Sequence, residues 1–114
     1  MDPREAALLM ARTAEDRKAS DVLILDITKI TLVADYFVIA SAPSMIRVRA
    51  IADAVGESAK QNGLEILHRE GYDTARWVLL DYGSVVVHVF TEEERLFYSL
   101  ERLWGDAPIV EVAH

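Results

Sequence analysis

Two short runs of branched and aromatic residues, Trp77-Val78-Leu79-Leu80-Asp81 and Val85-Val86-Val87-His88-Val89-Phe90, are separated only by Tyr82-Gly83-Ser84. Each run is too short for a mature helix and has the composition of a strand. Gly83 can take the positive φ that a tight turn needs, so the stretch predicts an antiparallel hairpin. Closing it around Tyr82 and Gly83 sets Trp77 opposite His88, Leu79 opposite Val86 and Asp81 opposite Ser84. Side chains alternate along a strand, which gathers Val78, Leu80, Val85, Val87 and Val89 on one aliphatic face suited to packing under helices. The other face carries Trp77, Leu79, Asp81, Val86 and His88. A bulged turn with Gly83 left-handed would shift the pairing and mix the two faces.

The rest of the chain supplies further strands and the helices. Asp2 as N-cap, Pro3 at the first helical position and Glu5 at the capping-box position open a helix that runs to about residue 19. Residues 22–27 and 36–41 read as buried strands. Ser44 caps a second helix with Val48, Ile51, Ala52, Val55 and Ala59 on one face, and Asn62-Gly63 stops it. The alternation from Leu64 to Arg69 predicts an edge strand, with a loop from Glu70 to about Ala75. Thr91 and Glu94 form a second capping box, opening a helix with Leu96, Phe97, Leu100, Leu103 and Trp104 on its apolar side. The order of elements indicates an α/β fold: a single domain, residues 1–108, built as one mixed β-sheet backed by helices, with residues 109–114 as a short tail of no evident role.

Composition narrows the function. The 114 residues carry 12 Lys and Arg against 19 Asp and Glu, a net charge of -7, which argues against affinity drawn mainly from nucleic-acid phosphates and favours a basic protein partner. With no cysteine there is neither a disulfide framework nor a thiolate metal site. His68, His88 and His114 show no metal-ligand spacing. No apolar run approaches the ~20 residues of a membrane span and the N-terminus has no leader pattern, so the expected location is the cytoplasm.

The segments Asp35-Tyr36-Phe37-Val38-Ile39, Arg49-Ala50-Ile51-Ala52-Asp53, Glu70-Gly71, the two hairpin runs, Arg95, Phe97-Tyr98, Leu100-Glu101 and Leu103-Trp104 occur in that order. Together they resemble the ribosomal silencing factor family, also called Iojap-like, over roughly residues 5–107. The resemblance implies a nucleotidyltransferase-like fold without the catalytic motif, no cofactor, and binding to ribosomal protein L-fourteen on the joining face of the large subunit. Docking there hinders the small subunit and represses translation when nutrients are scarce. Two positions depart from the family pattern: Ala42-Pro43 stands where a glycine is common, and Ser84 where the turn often has an acidic residue.

Trp77, Leu79, Asp81, Val86, His88 and Tyr98 are therefore the candidate partner-binding residues. An aromatic anchor beside a carboxylate and aliphatics is the composition of a contact patch. Pattern alone leaves a second reading of Trp77 and His88 open, as core residues with satisfied ring nitrogens, and the resemblance favours the patch. Asp81 can meet a cation of the partner, whereas an Asp beside a strand, Asp35 included, is commonly a turn former. Tyr98 lies one step off the Leu96-Leu100-Leu103 stripe, so its hydroxyl can reach the surface, although an amphipathic tyrosine at the edge of the core is the commoner case. Two rival classes remain. A nucleotidyl-transferring enzyme needs a Gly-Ser turn and an Asp-x-Asp pair to hold two metal ions; Gly83-Ser84 with Glu92 and Glu94 is a superficial substitute, and the chain has no Asp-x-Asp. A structural homo-oligomer could use the same apolar face, and a homodimer of the free protein would then compete with the ribosome.

Overall fold

The computed structural model describes residues 1–112; Ala113 and His114 lie outside the described residues. Helix α1 (Pro3–Asp16) starts where the cap requires it, with the Asp2 carboxylate accepting the Glu5 N–H at 2.8 Å. It ends short of residue 19 because Lys18 turns left-handed (φ 66) and the Ala19 N–H closes back on the Ala14 carbonyl at 3.0 Å. Strands β1 (Ser20–Asp26) and β2 (Tyr36–Ala42) follow, then helix α2 (Met45–Gln61), capped by Ser44 and stopped by Gly63 at φ 74. Its buried residues are Val48, Ile51, Ala52, Val55 and Ala59, the face marked by their spacing.

Strand β3 (His68–Glu70) shortens the edge strand expected over 64–69 to its last two residues and adds Glu70. Leu64 is spent on the end of α2, donating its N–H to the Ala59 carbonyl at 2.9 Å, so the alternation before residue 68 belongs to a connector. Strands β4 (Trp77–Asp81) and β5 (Val85–Thr91) form the hairpin, then come helices α3 (Glu92–Tyr98) and α4 (Leu100–Leu103) and strand β6 (Ile109–Val110).

The six strands make one mixed sheet in the order β3-β4-β5-β2-β1-β6. Only β2 and β5 pair in parallel, and α2 with the β3–β4 segment makes the crossover between them. The supposed tail has a place here: Ile109 and Val110 pair with Leu25 and Ile24 at the sheet's edge. Helices α1 and α2 cover one face, burying Met10, Val48, Ile51 and Val55 against Val38, Val78, Leu80, Val87 and Val89. The opposite face holds a second cluster, Leu25, Ile27, Phe37, Ile39, Val86 and Phe90, roofed in part by Leu100, Trp104 and Ala107.

The single C-terminal helix expected from the sequence is broken. Ser99 is left-handed (φ 48), and the Arg95 guanidinium reaches Glu101 at 2.8 Å, the Ser41 hydroxyl at 3.0 Å and the Ser20 carbonyl at 3.3 Å. In an unbroken helix a residue and the sixth after it lie roughly 9 Å apart along the axis and about 240° apart around it, so that ion pair requires the break. The expected apolar side divides accordingly. Leu100 and Trp104 pack on the sheet, while Leu96 (80% exposed), Phe97 (79%) and Leu103 (75%) face outward.

Candidate protein-docking face

The hairpin turns one residue later than its sequence suggests. Gly83 (φ 85) and Ser84 are the two central residues, the Tyr82 N–H meets the Val85 carbonyl at 2.9 Å, and the Asp81 carboxylate accepts the Gly83 N–H at 2.8 Å. A positive φ at the first central position is what a II′-type turn demands of its glycine. Pairing is consequently displaced by two: Trp77 faces Phe90, Leu79 faces His88 and Asp81 faces Val86, not His88, Val86 and Ser84 as expected. A slip of two residues preserves the alternation, so the two faces do not mix. Val78, Leu80, Val85, Val87 and Val89 pack under the helices, and Trp77, Leu79, Asp81, Val86 and His88 share the other side with Phe90.

On that side the rings form a chain across the sheet. The Trp77 indole stacks on Phe90 (4.8 Å between centroids, 29° between planes) and lies against Tyr98 at 4.9 Å. Its N–H donates to His88 Nδ1 at 3.1 Å. His88 meets Phe37 edge-on at 4.8 Å, and Phe37 meets Trp104 at 5.4 Å. Trp77, Leu79 and Asp81 are partly buried and Tyr98 is about half exposed, so these four reach the surface. Val86 and His88, at 6% and 4% exposure, underlie it. Asp81 serves the turn through its bond to Gly83. Asp35 has a structural place too: its backbone bonds to Ser84 and Ile27 tie the β1–β2 connection to the hairpin.

Two contributors were missed. Phe90 is the ring on which Trp77 rests; its position two residues beyond His88 already put it on the same face, and the two-residue displacement concealed only its pairing with Trp77. Phe97 continues the exposed apolar surface beyond Tyr98, edge-on to it at 5.1 Å, while Leu96, also exposed, lies by Glu92 and Arg95 at another side of α3. They had been assigned to a helix core that the break at Ser99 prevents.

Burial depresses the His88 pKa from the ordinary value of 6.5 to about 4. Unfolding restores the ordinary value, so the unfolded chain binds the extra proton first. Stability is therefore full above pH 6.5 and declines as the pH falls toward 4, by about 3 kcal/mol across the window and about 2 kcal/mol by pH 5. Urea unfolding at pH 7 and pH 5 measures this contribution, and His88→Phe should flatten the difference. An equal pH dependence in parent and variant would assign it to other groups.

The substitute catalytic set does not assemble. Gly83-Ser84 stands at the start of β5 and Glu92 and Glu94 after its end, seven strand residues away, a span of roughly 23 Å at the rise of a β-strand. Glu92 instead accepts the Ser20 hydroxyl at 2.9 Å. A cleft of about 530 Å³ opens beside α2, lined by Gly56, Lys60, Leu64, Ile66, Arg69 and Tyr82, away from the aromatic face. Its surroundings are already engaged: Tyr72 donates to Asp53 at 2.9 Å, Arg69 lies over the Tyr72 ring, and Arg49 holds the Tyr72 and Asp73 carbonyls.

All of residues 1–114 match the protein family described as "Ribosomal silencing factor during starvation". A ribosomal silencing factor RsfS of Bacillus subtilis is 46% identical over 112 residues, 98% of this chain and 95% of the relative. A crystal structure from Bacillus halodurans is similar at TM-score 0.84 and 44% identity, over 95% of this chain and 98% of the other. One from Chromobacterium violaceum reaches TM-score 0.90 at 34% identity, over 100% and 94%.

Proposed function

The chain belongs to the family of ribosomal silencing factors, and from that premise we propose that it docks through the face around Trp77 onto ribosomal protein L-fourteen of the large subunit. The family is regulatory, and the chain is not an enzyme. In the proposed mechanism the bulk of the domain occupies space that the small subunit needs, so translation is repressed in the cytoplasm under nutrient limitation without any bond being made or broken. The observation that carries this reading is the Trp77 indole, held by Phe90, Tyr98 and His88 yet still reaching the surface, with exposed Phe97 next to Tyr98. A rigid aromatic with apolar neighbours is the usual centre of binding energy in a protein interface. The net charge of -7 complements a basic ribosomal protein and makes direct contact with ribosomal RNA secondary at most.

Cosedimentation checks the partner. The protein should travel with isolated large subunits and not with small ones, and release should increase with salt. Equal recovery with both subunits would contradict docking on a large-subunit protein. A second reading has its own observation: Leu96, Phe97 and Leu103 are largely exposed and could meet a second copy of the chain when the ribosome is absent. Because Phe97 adjoins Tyr98, such a homodimer would hide the docking face and bind in competition with the large subunit.

A further inference from the structure

We propose that His88 is the positioning residue of this docking face: its imidazole accepts the Trp77 indole N–H and fixes the orientation of the ring that meets the partner. The inference rests on the docking reading above. The β4–β5 register places Phe90, not His88, opposite Trp77, so the indole N–H reaches along the sheet to His88 Nδ1 at 3.1 Å. An indole nitrogen only donates, which requires Nδ1 to carry a lone pair and places the imidazole proton on Nε2.

Nε2 is buried and has no hydrogen-bond partner among the described residues. A phenyl ring at this site, between Phe37 and Phe90, would avoid burying that donor. The feature an imidazole adds is the Nδ1 acceptor. Stacking on Phe90 supports the indole but leaves it free to turn in its plane, whereas a hydrogen bond is directional and selects one orientation. A ring already set in its bound orientation loses less freedom on docking.

Affinity for ribosomal protein L-fourteen and the ¹⁵N resonances of both rings test the proposal, with the Trp104 indole as internal reference. In the parent, His88 should show an unprotonated Nδ1 and a protonated Nε2 near pH 7; a protonated Nδ1 overturns the proposal without any variant. His88→Phe should shift the Trp77 indole resonance, leave that of Trp104 nearly unchanged and weaken binding roughly fivefold. His88→Asn, whose amide oxygen lies near the place of Nδ1, should recover part of that loss. In a Trp77→Phe background, which binds more weakly and has no N–H to orient, His88→Phe should cause no further loss. A full additional loss there, or parental binding by His88→Phe alone, overturns the positioning role. Parental binding by Trp77→Phe instead overturns the docking reading, and the indole resonance then decides the positioning by itself, an unmoved resonance in His88→Phe counting against it.

Discussion

Trp77→Ala should bind ribosomal protein L-fourteen at least about thirtyfold more weakly than the parent, a loss of about 2 kcal/mol or more, while the domain remains folded. Truncation removes a large aromatic that reaches the surface and is held from several sides, by Phe90, Tyr98 and His88. It also leaves His88 Nδ1 without its donor and exposes part of Phe90. A stability cost of about 1–2 kcal/mol accompanies the binding loss, below the ~3–5 kcal/mol of a fully buried Trp. Thermal unfolding and titration on the same preparation separate the two effects. Parental affinity in a folded variant would remove Trp77 from the interface.

Gly71→Ala should be the most destabilising single-methyl change near the site, lowering stability by about 2–3 kcal/mol and the thermal midpoint by roughly 10 °C. Gly71 has φ 79, and a Cβ there would collide with the Trp77 carbonyl oxygen, closer than real Cβ atoms approach backbone. That carbonyl cannot easily yield. The neighbouring loop is fixed by Arg49 on the Tyr72 and Asp73 carbonyls and by the Thr91 N–H on the Arg76 carbonyl at 2.9 Å. Relief of the collision must come from the start of β4, so Gly71→Ala should also disturb the Trp77 indole although residue 71 is on no docking surface. A thermal midpoint within a degree or two of the parent would show that the loop moves freely.

Much of this architecture can be read in the sequence because it depends on local signals. The caps at Asp2, Ser44 and Thr91 act within a single turn of helix, and each accepts the backbone N–H three residues on. The division of the hairpin into a helix-packed face and a mixed face follows from alternation alone, and survives a two-residue error in register. What was not legible depends on distant partners. The break at Ser99 in the helix after Thr91 brings Glu101 to Arg95, a residue also tied to Ser20 and Ser41 far away in the chain. Residues 109–110 become a strand because β1 offers them an edge, and 64–67 fail to become one because Leu64 closes α2. At the site, the patch and core readings of Trp77 and His88 looked like alternatives. In the structure His88 is buried, with Nδ1 accepting the Trp77 N–H and Nε2 without a partner among the described residues, and Trp77 is partly exposed, so the two residues need not share one role.

The proposed mechanism rests on occupancy: a domain seated on the large subunit would exclude the small one. Light scattering during mixing of purified subunits, with the large subunits preincubated at graded protein concentrations, measures joining against occupancy. The rate should fall in proportion to the fraction of large subunits occupied, and preincubation with Trp77→Ala at the same concentrations should restore it. Unchanged joining at saturating occupancy by the parent protein would contradict steric exclusion.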